Sequence, residues 1–87
     1  MPSSADVHAL LDERESTHGS YRDNARIAQS LKSTFRTCPG WERMGHVQRE
    51  SLDLIALKMA RILSGKFDNA DHWHDIAGYA ELVVKPD

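Results

Sequence analysis

Residues 69–84, N-A-D-H-W-H-D-I-A-G-Y-A-E-L-V-V, combine a helix start with an apolar period, and their reading decides the fold. Asn69 suits an N-cap, because its side-chain oxygen can accept from an otherwise free backbone amide. Asp71 complements the positive end of the helix dipole. Trp73, Ile76, Ala77, Ala80 and Val84 recur at helical spacing and predict the face that anchors this helix in the core. The other edge carries Asp71, His74, Asp75 and Gly78, with His72 expected at the surface. Chemistry and core anchor therefore share one short helix.

Working backwards, the spacing predicts a helix over 46–64 that stops at Gly65. Nine of the twelve residues from Leu52 to Leu63 are apolar, and a helix apolar nearly all round is the buried centre of a bundle or an oligomer seam. Gly65 to Asp71 reads as a loop overlapping the final helix start. Upstream, Ile27, Leu31 and Phe35, with Ala25 and Ala28 beside them, give a helix from Tyr21 to about Arg36. Ser20 and Asp23 resemble a capping box at its start. Cys38-Pro39-Gly40 ends it, since Pro lacks a donor and Gly permits a left-handed turn. Trp41 to Gly45 is a connector of one helical turn at most, with Trp41 and Met44 plugging the core. Ser4 caps a first helix from about Ala5 to Glu15 bearing Val7, Leu10 and Leu11, and Ser16 to Ser20 breaks it. The expectation is an all-α small helical bundle of about four helices, with the last two as its core. Residues 1–4 form a flexible N-terminus, 5–84 a single helical domain and 85–87 a C-terminal tail.

The 87 residues are 40% hydrophobic and 28% charged, with a formal net charge of −2, a globular rather than a disordered balance. That charge offers no general attraction to nucleic acid or to an anionic membrane. Arg22, Arg26, Lys32 and Arg36 make one basic edge, but no recognition helix accompanies it. The single cysteine, Cys38, excludes an intrachain disulfide and has no second Cys for a zinc site. With no signal peptide or long apolar run, the expected setting is the cytoplasm, without a membrane partner.

Three groups of residues could carry chemistry. On the helix over 46–64, Glu50, Asp53, Lys58 and Arg61 fall within an arc of roughly 140° along about 16 Å. Glu50 and Asp53 form an E-x-x-D pair able to hold Mg²⁺ through oxygen ligands, and Lys58 and Arg61 could grip a phosphate. Set against this, such residues on a helix usually make its wet face or pair with a neighbour. On the last helix, Asp71 and Asp75 stand at i and i+4 with His74 alongside, which offers a mixed metal site or, more simply, a cap and an ion pair to Lys58 or Arg61. Gly78 costs about 1 kcal/mol relative to Ala inside a helix, so something is expected to approach its backbone. Tyr79 suits a core edge or a stacking surface. Third, His18, Tyr21 and Asn24 in H-G-S-Y-R-D-N could line a pocket if this turn meets the last helix, with free amides favouring an anion. No Walker loop, nucleophile elbow or dinucleotide fingerprint is present.

The motifs H-G-S-Y-R-D-N-A-R-I-A at 18–28, L-K-M-A-R-I-L at 57–63 and D-H-W-H-D-I-A-G-Y-A at 71–80 together resemble a family of small phage and prophage proteins, a domain of unknown function. The resemblance covers roughly residues 12–84 and implies a phage origin, a host-cell location and an all-α fold. A more distant likeness is to the MazG-like all-α NTP pyrophosphohydrolases. It implies that Glu50 and Asp53, with Asp71 or Asp75, would bind Mg²⁺ and a nucleoside triphosphate. That family has a tandem glutamate motif on the preceding helix, whereas Tyr21 to Arg36 contains Asp23 and no glutamate.

The expected function is that of a non-enzymatic phage accessory protein. It would assemble as a homo-oligomer and bind a nucleotide-like ligand or a host protein through His18, Tyr21, Asn24, Lys58, Arg61, His74 and Tyr79, in a role that counters host defence. No cofactor is called for. The enzyme alternative is a reduced Mg²⁺-dependent pyrophosphohydrolase using Glu50, Asp53, Asp71 and Asp75.

Overall fold

A computed structural model describes residues 3–65 and 67–85, with the backbone alone for 14–18. Five helices follow in order: α1 Ser4–His18, α2 Tyr21–Thr37, α3 Pro39–Arg43, α4 His46–Ser64 and α5 Ala70–Val84. The all-α expectation holds, with the connector after Cys38 closing into a fifth, short helix. The principal packing is α5 on α4, then α2 on α4. The helix that is apolar nearly all round thus lies between two others, with Ala56, Ala60 and Ile62 buried.

The caps explain where the helices begin. Asn69 accepts from the Asp71 amide at 3.0 Å, as its position predicts. The first helix is capped one residue earlier than expected: the Ser3 hydroxyl accepts from the Asp6 amide at 3.2 Å. Ser20 has the extended backbone of an N-cap, yet its side chain makes no capping bond, so the expected box with Asp23 is absent. Nor do Ser16 to His18 break α1. The helix runs through them, and the break falls at Gly19, whose φ of +80° only glycine adopts without strain.

The α5 face is the main correction. The residues turned toward α4 are His72, only 1% exposed, with half-buried Ile76 and Tyr79. Trp73 is 55% and Val84 75% exposed, and Ala77 and Ala80 are exposed with them. The α5 helix is therefore rotated from the expected orientation, and His72, expected at the surface, is the largest fully buried side chain. Gly78 has no neighbour within 4 Å of where a Cβ would stand, so nothing described in the chain approaches it.

Candidate functional site

The turn Cys38-Pro39-Gly40 does more than stop α2. Cys38 donates its amide back to Phe35 O at 3.1 Å, and Pro39 opens α3 where its missing donor is harmless. This reversal folds Trp41 back over the end of α2. Its indole stacks on Phe35 at 6.1 Å between ring centroids and is 7% exposed. Two guanidinium groups flank the same ring, Arg36 at 4.4 Å and Arg49 at 5.5 Å, a cation–π arrangement that holds both cations beside one aromatic.

Around this ring lies an open cleft of about 390 Å³ lined by Arg36, Trp41, His46, Arg49, Glu50 and Asp53. Residues 46, 49, 50 and 53 share one face of α4 because they are three and four apart. Arg36 makes a fork to the Asp53 carboxylate, at 3.1 and 2.8 Å, and also donates to Lys32 O at 2.9 Å. The Asp53 bond raises the Arg36 pKa above its ordinary value, so the guanidinium is permanently charged. Arg49 donates Nε to Trp41 O at 3.1 Å and lies 3.9 Å from the exposed Glu42. The first turn of α4 contains no acid, which leaves the positive end of its dipole uncompensated at His46. A guanidinium with spare donors, an imidazole and a helix N-terminus favour an anionic group, while Glu50 can accept from a polar ligand edge.

The other candidate residues fall into two clasps. At the first, Asn24 is buried, and the Ser64 hydroxyl reaches both Asn24 Oδ1 at 2.5 Å and Ala60 O at 2.8 Å. Gly19 lies against the Ser64 carbonyl. The H-G-S-Y-R-D-N turn thus meets the end of α4 rather than the last helix. Tyr21 stands 84% exposed, and the His18 side chain lies outside the described residues. At the second clasp, Lys58, with its side chain 12% exposed, donates to Asp75 at 3.0 Å. This bond is the chief reason the Asp75 pKa lies below its ordinary value. Half-buried Arg61 lies close to the buried His72. Burial first, and then the charges of Lys58 and Arg61, lower the His72 pKa, with Asp75 and Asp71 opposing. His74 and Asp71 are exposed and Tyr79 is half-buried.

Glu50, Asp53, Lys58 and Arg61 therefore do not share one wet face. Asp53 turns to Arg36 on α2, and Lys58 to Asp75 on α5. Glu50 and Asp53 share the cleft, while Asp71 and Asp75 stand on α5; among the described residues no three His, Cys, Asp or Glu side chains converge on one point. Sequence reading missed Arg36, Trp41, His46 and Arg49 as a group. Their signal was the face H-x-x-R-E-x-x-D at 46–53, directly after a Pro-Gly-Trp reversal.

The family described as "Domain of unknown function (DUF6378)" matches residues 5–85. The chain belongs to this family. No curated protein matches it, and no solved structure matches it either. No helix among the described residues is long and apolar enough to cross a membrane.

Proposed function

We propose that this member of the family is a non-enzymatic, self-assembling helical protein that binds a nucleotide-like anion in the Trp41 cleft. The observation that carries the reading is the placement of Arg36 and Arg49 against one indole, with His46 lining the same cleft at the start of α4, whose first turn has no acid. At about 390 Å³ the cleft is within the range of small-molecule sites, roughly 300–1,000 Å³. A phosphate would take Arg49, His46 and the first amides of α4. The bidentate Arg36–Asp53 fork neutralises Asp53 within the cleft and leaves Arg49 and His46 to meet the ligand's charge. The phage setting and a role in countering host defence rest on the sequence resemblance alone.

Calorimetry with nucleoside mono-, di- and triphosphates in EDTA tests the reading. Binding should persist without metal and weaken about tenfold in Arg49→Ala, the loss of one charge-assisted contact. Far-UV circular dichroism checks that the variant is folded. Silence across the panel, or equal affinity in the variant, would overturn it.

A second reading has one observation in its favour: Glu50 and Asp53 line that same cleft. As a Mg²⁺-dependent pyrophosphohydrolase, the protein would release pyrophosphate from a triphosphate only with metal, and Asp53→Asn would abolish release.

A further inference from the structure

Among the described residues the outer face of α5 is left exposed, with Trp73 touched at one edge, where its indole Nε1 donates to Phe67 O at 2.9 Å. Trp73, Ala77, Ala80 and Val84 fall within an arc of roughly 60°, and all four are exposed. The face turned to α4, centred on His72 and Tyr79, lies roughly 115° away around the helix. Beside the stripe runs a groove of about 310 Å³ between α4 and α5, lined by Ile55, Met59, Ile62, Leu63, Trp73 and Ile76. Every one of these is apolar, and Leu63 is 66% exposed.

The chain as a whole exposes more surface than a self-contained domain of its size. Its accessible surface is 6544 Å², whereas a folded monomer of 9.8 kDa exposes about 5,200 Å². The radius of gyration is 15.2 Å, against about 12 Å for a self-contained domain of this length. The excess of about 1,300 Å² is that of the whole chain, including α1, whose described side chains are all exposed; it leaves room for the roughly 800 Å² that each partner gives to a standard interface. Of the five buried apolar residues described, three are alanines, so the monomer's own core is thin.

The stripe also has the symmetry of a self-pairing surface. Its spacings are four, three and four residues, the same read in either direction. Turned antiparallel about a two-fold axis at the level of residues 78 and 79, residue 73 meets 84 and residue 77 meets 80 in one register. This is the reciprocal contact that an isologous dimer requires, and four-three spacing is that of a helical seam. Alanines at the centre allow the two backbones to approach closely. His74 and Glu81 stand on the outer edge seven residues apart, so the same register brings each His74 to within about two residues, or 3 Å, of the level of the partner's Glu81. Unlike groups meet there rather than like charges.

We propose that two copies of this chain pair antiparallel through the outer face of α5, Trp73 against the partner's Val84 and Ala77 against the partner's Ala80. The partner's last helical turn then covers the apolar groove beside Trp73. This deepens the self-assembly part of the function proposed above and is independent of the ligand cleft, which lies on α2, α3 and the start of α4.

Native mass spectrometry and light scattering on the full chain test it. The wild type should run as a dimer at twice the chain mass. Ala77→Glu and Ala80→Glu should run as monomers with unchanged helicity, since both positions are exposed within one chain. In a Cys38→Ser background, Ala77→Cys with Ala80→Cys should oxidise to a covalent dimer, and either change alone to a much smaller extent. A wild-type monomer at concentrations well above micromolar would overturn both the pairing and self-assembly. A dimer indifferent to both glutamates and not cross-linked would overturn this interface while leaving self-assembly standing. The calorimetry described above reads the cleft separately in either case.

Discussion

Replacing Gly19 and Gly78 by alanine should move stability in opposite directions. At Gly19 the backbone has φ of +80°, where a Cβ costs about 1–2 kcal/mol. The added methyl would also stand inside contact distance of the Ser64 carbonyl and 2.7 Å from its hydroxyl oxygen. A carbonyl at the end of α4 cannot swing aside as a side chain can, so relief requires backbone movement, typically about 1–3 kcal/mol. The sum is about 3 kcal/mol, net of the smaller gain from a stiffer unfolded chain. For 87 residues the unfolding entropy is about 180 cal/mol/K, which makes this a fall of about 16 °C in melting temperature. At Gly78 a methyl meets nothing within 4 Å, and alanine should stabilise α5 by about 1 kcal/mol. Thermal unfolding followed by circular dichroism measures both. A loss below about 1 kcal/mol at Gly19 would show that the turn does not seat on α4 as described. Destabilisation at Gly78 would show that something approaches α5 there.

Two further predictions concern the buried polar contacts and the cleft. The lowered His72 pKa means that below the ordinary value of about 6.5 the unfolded chain binds a proton that the folded chain resists. Stability is then complete above that pH and falls as the solution is acidified. Denaturation midpoints between about pH 7.5 and 5 should decline in the wild type and flatten in His72→Gln; a flat wild-type profile would refute the assignment. The depressed Asp75 pKa acts in a lower window, below its ordinary 3.8, and is lost as pH falls through the depressed value, so the two contributions separate. Trp41→Ala should cost about 3–5 kcal/mol, because a nearly buried indole is removed from Phe35 and from both guanidinium groups. A loss under about 1 kcal/mol in urea titrations would mean that the reversal after Cys38 is not held by this ring.

How much was legible in the sequence depended on whether the cause was local. The α4 limits, the Asn69 cap and the end of α2 at Cys38-Pro39-Gly40 were readable because propensity, capping chemistry and proline sterics act within a few residues. The close approach at Gly19 was not, since the surface a Cβ there would meet is the end of α4, more than forty residues away. The cleft was hidden for a related reason. Arg36 looked like part of a basic edge and Asp53 like half of a metal pair, and only the reversal at Pro39 and the packing of α2 on α4 turn them into one ion pair beside Trp41. Spacing along a single helix can show that charges share a face, but not which neighbour neutralises them.

The misreading of α5 has a different cause, and it bears on function. Trp73, Ala77, Ala80 and Val84 are an apolar stripe at helical period, and period measures only that a face avoids water. Within one chain the face seated on α4 is instead the mixed one, with His72 buried and Lys58 bonded to Asp75. A helix that places its polar groups inward and leaves its cleaner apolar stripe outward runs against the sense of the hydrophobic effect, unless the stripe is covered by something else. Coverage by a second copy restores that sense with no change to the chain's own packing. On this argument the stripe did mark a core, one completed between two chains. The glutamate substitutions at Ala77 and Ala80 separate that account from a solvent-exposed stripe, because only a buried seam would resist the charge.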